Sequence, residues 1–156
     1  MMAADLPGTL KQDVKDFLAS IVAWAESVST LQAIALVGSQ ARGDARSSSD
    51  IDLILLCKDP EHFLSHRAWI SAFGEPDQIK EEHWGKVTSL RVFYRDGLEV
   101  EFGVTGLGWG ADPTDHGDGQ VIQDGLIVLY ERDGHLSDKV KHFNLSSGSN
   151  LIPGAV

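Results

Sequence analysis

Two short runs of apolar residues, separated by a polar segment, constrain the fold of this chain most strongly. Residues 31–37 (LQAIALV) are almost wholly apolar, and residues 50–56 (DIDLILL) begin polar and become apolar. Apolar runs of this length between turn residues are typical of buried strands. Gly38-Ser39 ends the first run abruptly, and residues 40–44 then have the pattern of a short helix. The segment therefore predicts two buried strands joined through a tight turn and a short helix.

The remaining chain supplies further helices and a hairpin. Asp96-Gly97 between two strand-like runs is a strong hairpin signal. The polar stretches 77–85 and 106–119 are predicted to be loops. Apolar residues at helical or strand-like spacing predict helices at 9–28 (N-cap Thr9), 60–73 and 135–143, and strands at 87–94, 98–105 and within 121–130.

This order of elements predicts an α/β (α+β) fold, a small mixed β-sheet with helices packed on it. We expect a single domain over residues 1–144 and a flexible tail over residues 145–156, where the sequence is small and polar. A chain of 156 residues with 42% hydrophobic content can bury a core of this size.

Charge and cysteine content restrict the partners and the location of the chain. A formal net charge of -10 disfavours non-specific binding to nucleic acid or anionic membranes. One cysteine, Cys57, allows neither an internal disulfide nor a cysteine zinc site. Residues 1–20 lack the pattern of a signal peptide, and no apolar run approaches the ~20 residues of a membrane span. We therefore expect a cytoplasmic protein.

Gly38, Ser39, Asp50 and Asp52 form the pattern most suggestive of chemistry. Backbone N–H groups at a strand-to-helix turn suit a phosphate, which Gly38 would allow to approach closely and Ser39 would contact through its hydroxyl. Asp50 and Asp52 are two apart on a predicted strand, so both side chains lie on one face. Paired carboxylates repel unless a cation lies between them, and oxygen ligands beside a phosphate suit Mg²⁺. The segment therefore predicts a site for a magnesium-bound nucleoside triphosphate.

A third carboxylate is expected from the predicted strand 98–105, where Glu99 and Glu101 share one face. It would complete a metal site and accept the proton of an attacking hydroxyl. The residues alone leave both glutamates open. Arg42 is equally open between contacting the triphosphate and pairing with Asp44 or Asp50. Trp84 and Trp109, in predicted loops, either pack against the protein or stack on a bound base or acceptor.

Gly38-Ser39, ten intervening residues and then Asp50-Ile51-Asp52 resemble the nucleotidyltransferase superfamily with a DNA polymerase β-like core. Residues 41–44 (ARGD) and 49–53 (SDIDL) also look like minimal nucleotidyltransferases and antibiotic adenylyltransferases. The resemblance implies that Gly38 and Ser39 bind triphosphate and that Asp50 and Asp52 bind metal. The third carboxylate of this superfamily lies between hydrophobic residues after a turn. Val100-Glu101-Phe102 fits that pattern, so the resemblance favours Glu101.

By this resemblance, the chain is an adenylyltransferase-like enzyme that moves a nucleotidyl group, expected to be AMP from ATP, onto an acceptor hydroxyl and releases pyrophosphate. Mg²⁺ and the triphosphate are the expected cofactor and substrate. The acceptor is a small molecule or a partner protein, and a homodimer cleft is one way to hold it. The alternatives are an antitoxin-type partner of a helical toxin and a nucleotide-binding module without catalysis.

Overall fold

The computed structural model describes residues 6–112 and 115–144. The predicted tail, residues 145–156, lies outside the described residues. In the described part, six strands form one sheet in the order β3-β4-β5-β2-β1-β6. β2 and β5 are parallel, whereas the other neighbouring pairs are antiparallel, so the predicted mixed sheet is confirmed. The strands are β1 (Leu31–Val37), β2 (Ile51–Cys57), β3 (Pro76–Trp84), β4 (Val87–Tyr94), β5 (Glu99–Thr105) and β6 (Ile127–Glu131).

Helices cover both faces of the sheet, and the core is accordingly divided into two clusters. The helices are α1 (Gln12–Glu26), α2 (Gly38–Arg42), α3 (Pro60–Ser65), a 3-10 helix (Ala68–Phe73), α4 (His116–Asp124) and α5 (residues 135–144). Alternate residues of β1 and β2 pack into opposite clusters, which is why these central strands are apolar almost throughout. On one face α1 packs Phe17, Leu18 and Ile21 with Leu53 and Phe102; the other face has a cluster around Trp109.

The central elements agree with the sequence analysis. β1 has the predicted limits, β2 begins one residue later than predicted, and β4 and β5 form the predicted hairpin. Gly97 in its turn has φ +100°, a conformation that favours glycine. The prediction for α1 was wrong at its N-terminus: Lys11 is the N-cap position, without a side-chain cap, and the Thr9 hydroxyl instead donates to the carbonyl of Gly43.

The polar stretch predicted as a loop is strand β3. This edge strand pairs with β4 alone, and most of its side chains are exposed or half-buried. An edge strand with little buried surface carries no apolar alternation that would distinguish it from a loop.

The helix predicted over residues 60–73 is interrupted after Ser65. The side chain of Arg67 donates to the carbonyl of Leu64, and the indole of Trp69 donates to the carbonyl of Phe63. Side chains thus use carbonyls that a continuous helix would pair with backbone N–H groups.

The loop predicted up to Gly119 and the strand predicted from Val121 were also wrong in part. Asp115 caps α4 by accepting from the N–H of Asp118, and β6 begins only at Ile127. Two glycines within α4 obscured its helical pattern. Among residues 6–112 and 115–144, no helix is long and apolar enough to cross a bilayer.

Gly103 provides a test of the sheet packing. A Cβ at this β5 residue would lie 2.9 Å from Val87 Cγ1 and 3.0 Å from the carbonyl oxygen of Leu53. The carbonyl belongs to the neighbouring strand and cannot move aside, so Gly103→Ala should destabilise the fold by about 1–3 kcal/mol in urea unfolding. Gly108→Ala is the control, because a Cβ there meets nothing within 4 Å. Equal stabilities of the two variants would contradict the packing described.

Candidate active site

Three carboxylates converge where β2 and β5 lie side by side. Asp50 immediately precedes β2, Asp52 is its second residue, and Glu101 lies opposite Asp52 in the parallel register. One oxygen from each carboxylate lies within 4.8 Å of the others, and all three side chains are half-buried. The structure therefore brings together the three residues that the sequence analysis selected as metal ligands.

Arg91, on β4, is the counter-charge of this cluster. One terminal nitrogen, Nη1, donates to Asp50 Oδ2 at 2.7 Å and to Glu99 Oε2 at 2.7 Å, and the other, Nη2, donates to Glu101. Nε donates to Glu82 Oε1 at 3.3 Å. Arg91 was not identified from the sequence. Its position opposite Glu101 across the predicted hairpin is the feature that could have indicated a contact with this carboxylate.

Glu99 and Glu101, the two open candidates for the third carboxylate, have different surroundings. Glu101 is part of the three-carboxylate cluster and also accepts from the hydroxyl of Ser89 at 3.3 Å. Glu99 shares its face of β5, but it is the first residue of the strand and lies outside the cluster. The geometry therefore favours Glu101 as the third member of the cluster.

Crowding of negative charge makes the cluster costly to ionise. Burial, followed by the carboxylates of Asp50 and Glu101, raises the pKa of Asp52 to about 7, although Arg91 opposes the shift. Burial also raises the pKa of Glu101, while Arg91 and the Ser89 hydroxyl lower it. A cation placed among these oxygens would favour the ionised forms.

Gly38 brings the backbone against this cluster. It has φ +72°, and a Cβ at this position would overlap the Oδ2 oxygen of Asp52. Val37 lies opposite Asp52 in the antiparallel register, which places the turn directly beside the carboxylate. Ser39 is half-buried in the first turn of α2. Because α2 has only five residues, its dipole is a weak attraction for an anion, and close backbone approach at Gly38 matters more.

Two further residues of α2 relate to the site in different ways. Gln40 is buried and its amide donates to the carbonyl of Asp50 at 3.4 Å, which ties α2 to the start of β2. Arg42 pairs with Asp44 at 3.3 Å, as one of the two open interpretations had it, and its side chain is largely exposed.

A cavity of about 700 Å³ adjoins the carboxylates and Gly38. Trp84, 58% exposed at the end of β3, and the buried Trp109 line it, so both tryptophans left open in the sequence analysis border the same space. Lys86 also lines the cavity and pairs with Asp115 at 2.8 Å and Asp118 at 3.2 Å. The cavity is large enough for a nucleotide or another small ligand.

The donor set fits Mg²⁺. The three residues offer carboxylate oxygens, the hard ligands that this ion prefers, and they leave positions for water and phosphate oxygens. Asp50, Asp52 and Glu101 are therefore the residues that would hold the ion.

Comparison with known proteins agrees with the sequence motifs. Residues 12–106, more than half of the chain, match the family described as streptomycin adenylyltransferase. This match confirms the resemblance to antibiotic adenylyltransferases inferred from Gly38-Ser39 and Asp50-x-Asp52. No curated protein matches the chain by sequence.

Comparison with solved structures gives several matches at low sequence identity. An aminoglycoside 6-adenyltransferase from Bacillus subtilis has 15% identity over 62% of this chain, with a TM-score of 0.49. A nucleotidyltransferase-like protein from Exiguobacterium sibiricum has 16% identity over 84%, with a TM-score of 0.45. The Thermotoga maritima CCA-adding enzyme has 15% identity over 85%, with a TM-score of 0.48. The matches cover 36%, 38% and 32% of those chains, so this chain spans about a third of their length.

The contact between Gly38 and Asp52 can be tested by a matched pair of variants. Gly38→Ala and Gly110→Ala both place a side chain at positive φ, +72° and +76°, which costs about 1–2 kcal/mol in each case. Only the first displaces a carboxylate, since a Cβ at Gly110 has ordinary contacts. We expect Gly38→Ala to lose at least about 1 kcal/mol more stability in urea unfolding. Equal losses would mean that Asp52 does not contact Gly38.

The raised pKa of Asp52 predicts a pH-dependent stability. In the unfolded chain, Asp52 ionises near pH ~4. Because the folded protein favours protonated Asp52, the stability that this group contributes is fully present below that pH and is lost as pH rises to about 7. Asp52→Asn has no such loss. In EDTA, its stability relative to wild type should therefore increase between pH 4.5 and pH 8, by roughly 1–2 kcal/mol. Urea unfolding measures this, with Asp44→Asn as the control; a pH-independent difference would contradict the crowding.

Proposed function

We propose that this chain, which belongs to the streptomycin adenylyltransferase family, transfers a nucleoside monophosphate from a nucleoside triphosphate to an acceptor hydroxyl. ATP is the proposed donor and pyrophosphate the proposed product. The observation that carries this proposal is the convergence of Asp50, Asp52 and Glu101 beside the backbone of Gly38. A carboxylate cluster next to a turn whose glycine has no side chain suits a metal-bound triphosphate.

Each residue of the site has a proposed part in the reaction. Gly38 and Ser39 bind the triphosphate through the backbone and a hydroxyl, and Gln40 holds Asp50 in place. The acceptor oxygen forms a bond to the α-phosphorus while the bond from that phosphorus to the pyrophosphate oxygen breaks. Glu101 accepts the proton of the acceptor hydroxyl.

Magnesium would be held by Asp50, Asp52 and Glu101, and when bound it supplies positive charge that neutralises the triphosphate and the pyrophosphate that leaves. The role of the protein is to place these three carboxylates within one coordination sphere and to hold the acceptor in line. Arg42 is proposed as a further phosphate contact, which requires it to exchange its present pairing with Asp44 for the triphosphate.

The acceptor is proposed to be a cationic small molecule of the aminoglycoside class. The family description names streptomycin as an acceptor within the family. The cavity beside the carboxylates is lined by Asp124 and by Asp115 and Asp118, which share the single cation Lys86. This excess of negative charge would attract amines, and the apolar surfaces of Trp84 and Trp109 line the same cavity. This chain spans 36% and 38% of the length of two of the solved relatives. Contacts to the acceptor from a further polypeptide chain are therefore compatible with the proposal.

Transfer activity tests the proposal. With ATP labelled at the α-phosphate, Mg²⁺ and a panel of aminoglycosides, wild-type protein should form a labelled acceptor and pyrophosphate. Asp52→Asn and Glu101→Gln should each reduce this rate by at least about 100-fold, because each removes charge from the transition state. Calorimetry of ATP binding with and without Mg²⁺ provides an independent measurement.

Two comparisons make the result specific. Glu99→Gln removes a neighbouring carboxylate from the same face of β5 and should retain much more activity than Glu101→Gln. Arg95→Gln changes an exposed arginine, bound to Glu75 and Asp77, and controls for general effects of substitution. Unchanged turnover in Asp52→Asn, or equal losses in the two glutamate variants, would refute the assignment.

A further inference from the structure

Arg91 carries one positive charge but contacts several carboxylates. Its guanidinium contacts four carboxylates, those of Asp50, Glu82, Glu99 and Glu101, and only 22% of its side chain is exposed. Asp52 adds a fifth carboxylate to the same region. Among the described residues that line the cavity, the other cationic side chain is Lys86. It pairs with Asp115 and Asp118 and contacts none of the partners of Arg91 in those ion pairs.

The four partners fall into two groups. Asp50 and Glu101 belong to the three-carboxylate cluster, whereas Glu82 on β3 and Glu99 at the start of β5 lie outside it. The two terminal nitrogens of Arg91 contact the cluster, and Nη1 also contacts Glu99; Nε contacts Glu82. The guanidinium could therefore release Asp50 and Glu101 and still keep hydrogen bonds to Glu82 and Glu99.

Hydrogen bonding to Arg91 and coordination of a metal use the same two carboxylates, Asp50 and Glu101. The guanidinium donates to Asp50 Oδ2 at 2.7 Å. A divalent ion bound to these carboxylates would lie close to the guanidinium, and two neighbouring cations repel in a half-buried site. Binding of a divalent ion among Asp50, Asp52 and Glu101 therefore favours movement of Arg91 away from the cluster.

We propose that Arg91 is an internal counter-cation that occupies the carboxylate site in the metal-free protein and is displaced onto Glu82 and Glu99 when a divalent cation binds. This inference rests on the proposed function, which assigns the metal to the same carboxylates. The exchange keeps the cluster folded and partly neutralised without metal, and it lowers the affinity for metal alone. A metal that arrives with a triphosphate brings further ligands to the competition, so the arrangement favours the metal–nucleotide complex over the free ion.

Metal affinity in Arg91 variants tests the proposal. Calorimetric titration with Mg²⁺ or Mn²⁺, without nucleotide, should give at least about tenfold tighter binding in Arg91→Gln than in wild type. Arg91→Lys keeps the charge but cannot reproduce the two-nitrogen bridge to Asp50 and Glu101, so its affinity should lie between the two. Without metal, Arg91→Gln should melt several degrees lower than wild type, and metal should restore more of its stability.

The lysine variant separates displacement from a general field effect. If Arg91 acts only through its charge, Arg91→Lys will bind metal as wild type does, and the proposal is overturned. Weaker metal binding in Arg91→Gln would mean that Arg91 positions the ligands, which also overturns it. Arg95→Gln, which removes an arginine between two exposed carboxylates, should leave metal affinity unchanged. If Arg91→Gln fails to fold, the comparison of Arg91→Lys with wild type still decides.

A spectroscopic measurement follows the displacement itself. The ¹⁵N–¹H resonances of the Arg91 guanidinium, those of the two Nη groups as well as Nε, are assigned by their loss in Arg91→Lys. They should shift on addition of Mg²⁺, while those of Arg95 stay constant. A constant Arg91 resonance in the presence of bound metal would overturn the inference and leave the metal site intact. Absence of metal binding in wild type and in both Arg91 variants would instead refute the proposed function.

Discussion

The cost of ionising three half-buried carboxylates that also repel one another is the constraint on which the rest of the site depends. The parallel pairing of β2 with β5 places Asp52 opposite Glu101, and Asp50 lies close to both. Such a cluster is unfavourable without positive charge, as the pKa of Asp52, raised to about 7 by burial and its neighbours, indicates. Arg91 supplies that charge in the protein alone. Its hydrogen bonds make the folded sheet compatible with a site that a divalent cation can use.

The backbone around the cluster is shaped by the same requirement. Gly38 has no side chain, so the turn after β1 can lie directly against Asp52. Apolar packing on both faces of the sheet fixes β1 and β2, from which Gly38, Asp50 and Asp52 project. The packed strands therefore set the position of each carboxylate, and the cavity beside them lies between the β3–β4 turn and α4.

The central strands and the cluster could be predicted because strong local patterns encode them. β1 and β2 are buried on both faces, and the Gly38-Ser39 and Asp50-x-Asp52 motifs carry a specific spacing. β3 could not be predicted, since an exposed edge strand depends on its partner rather than on apolar alternation. Arg91 was missed for a related reason: its role comes from four residues on three other segments, and only tertiary structure brings them together.

A crystal structure with bound Mn²⁺ tests the central claim most directly. Crystals of the protein grown with Mn²⁺ and a non-hydrolysable ATP analogue would reveal the ion by anomalous scattering. We expect a peak at about 2.0–2.2 Å from oxygens of Asp50, Asp52 and Glu101, with Arg91 turned toward Glu82 and Glu99. A peak elsewhere, or no peak while Arg91 still bridges Asp50 and Glu101, would contradict the account.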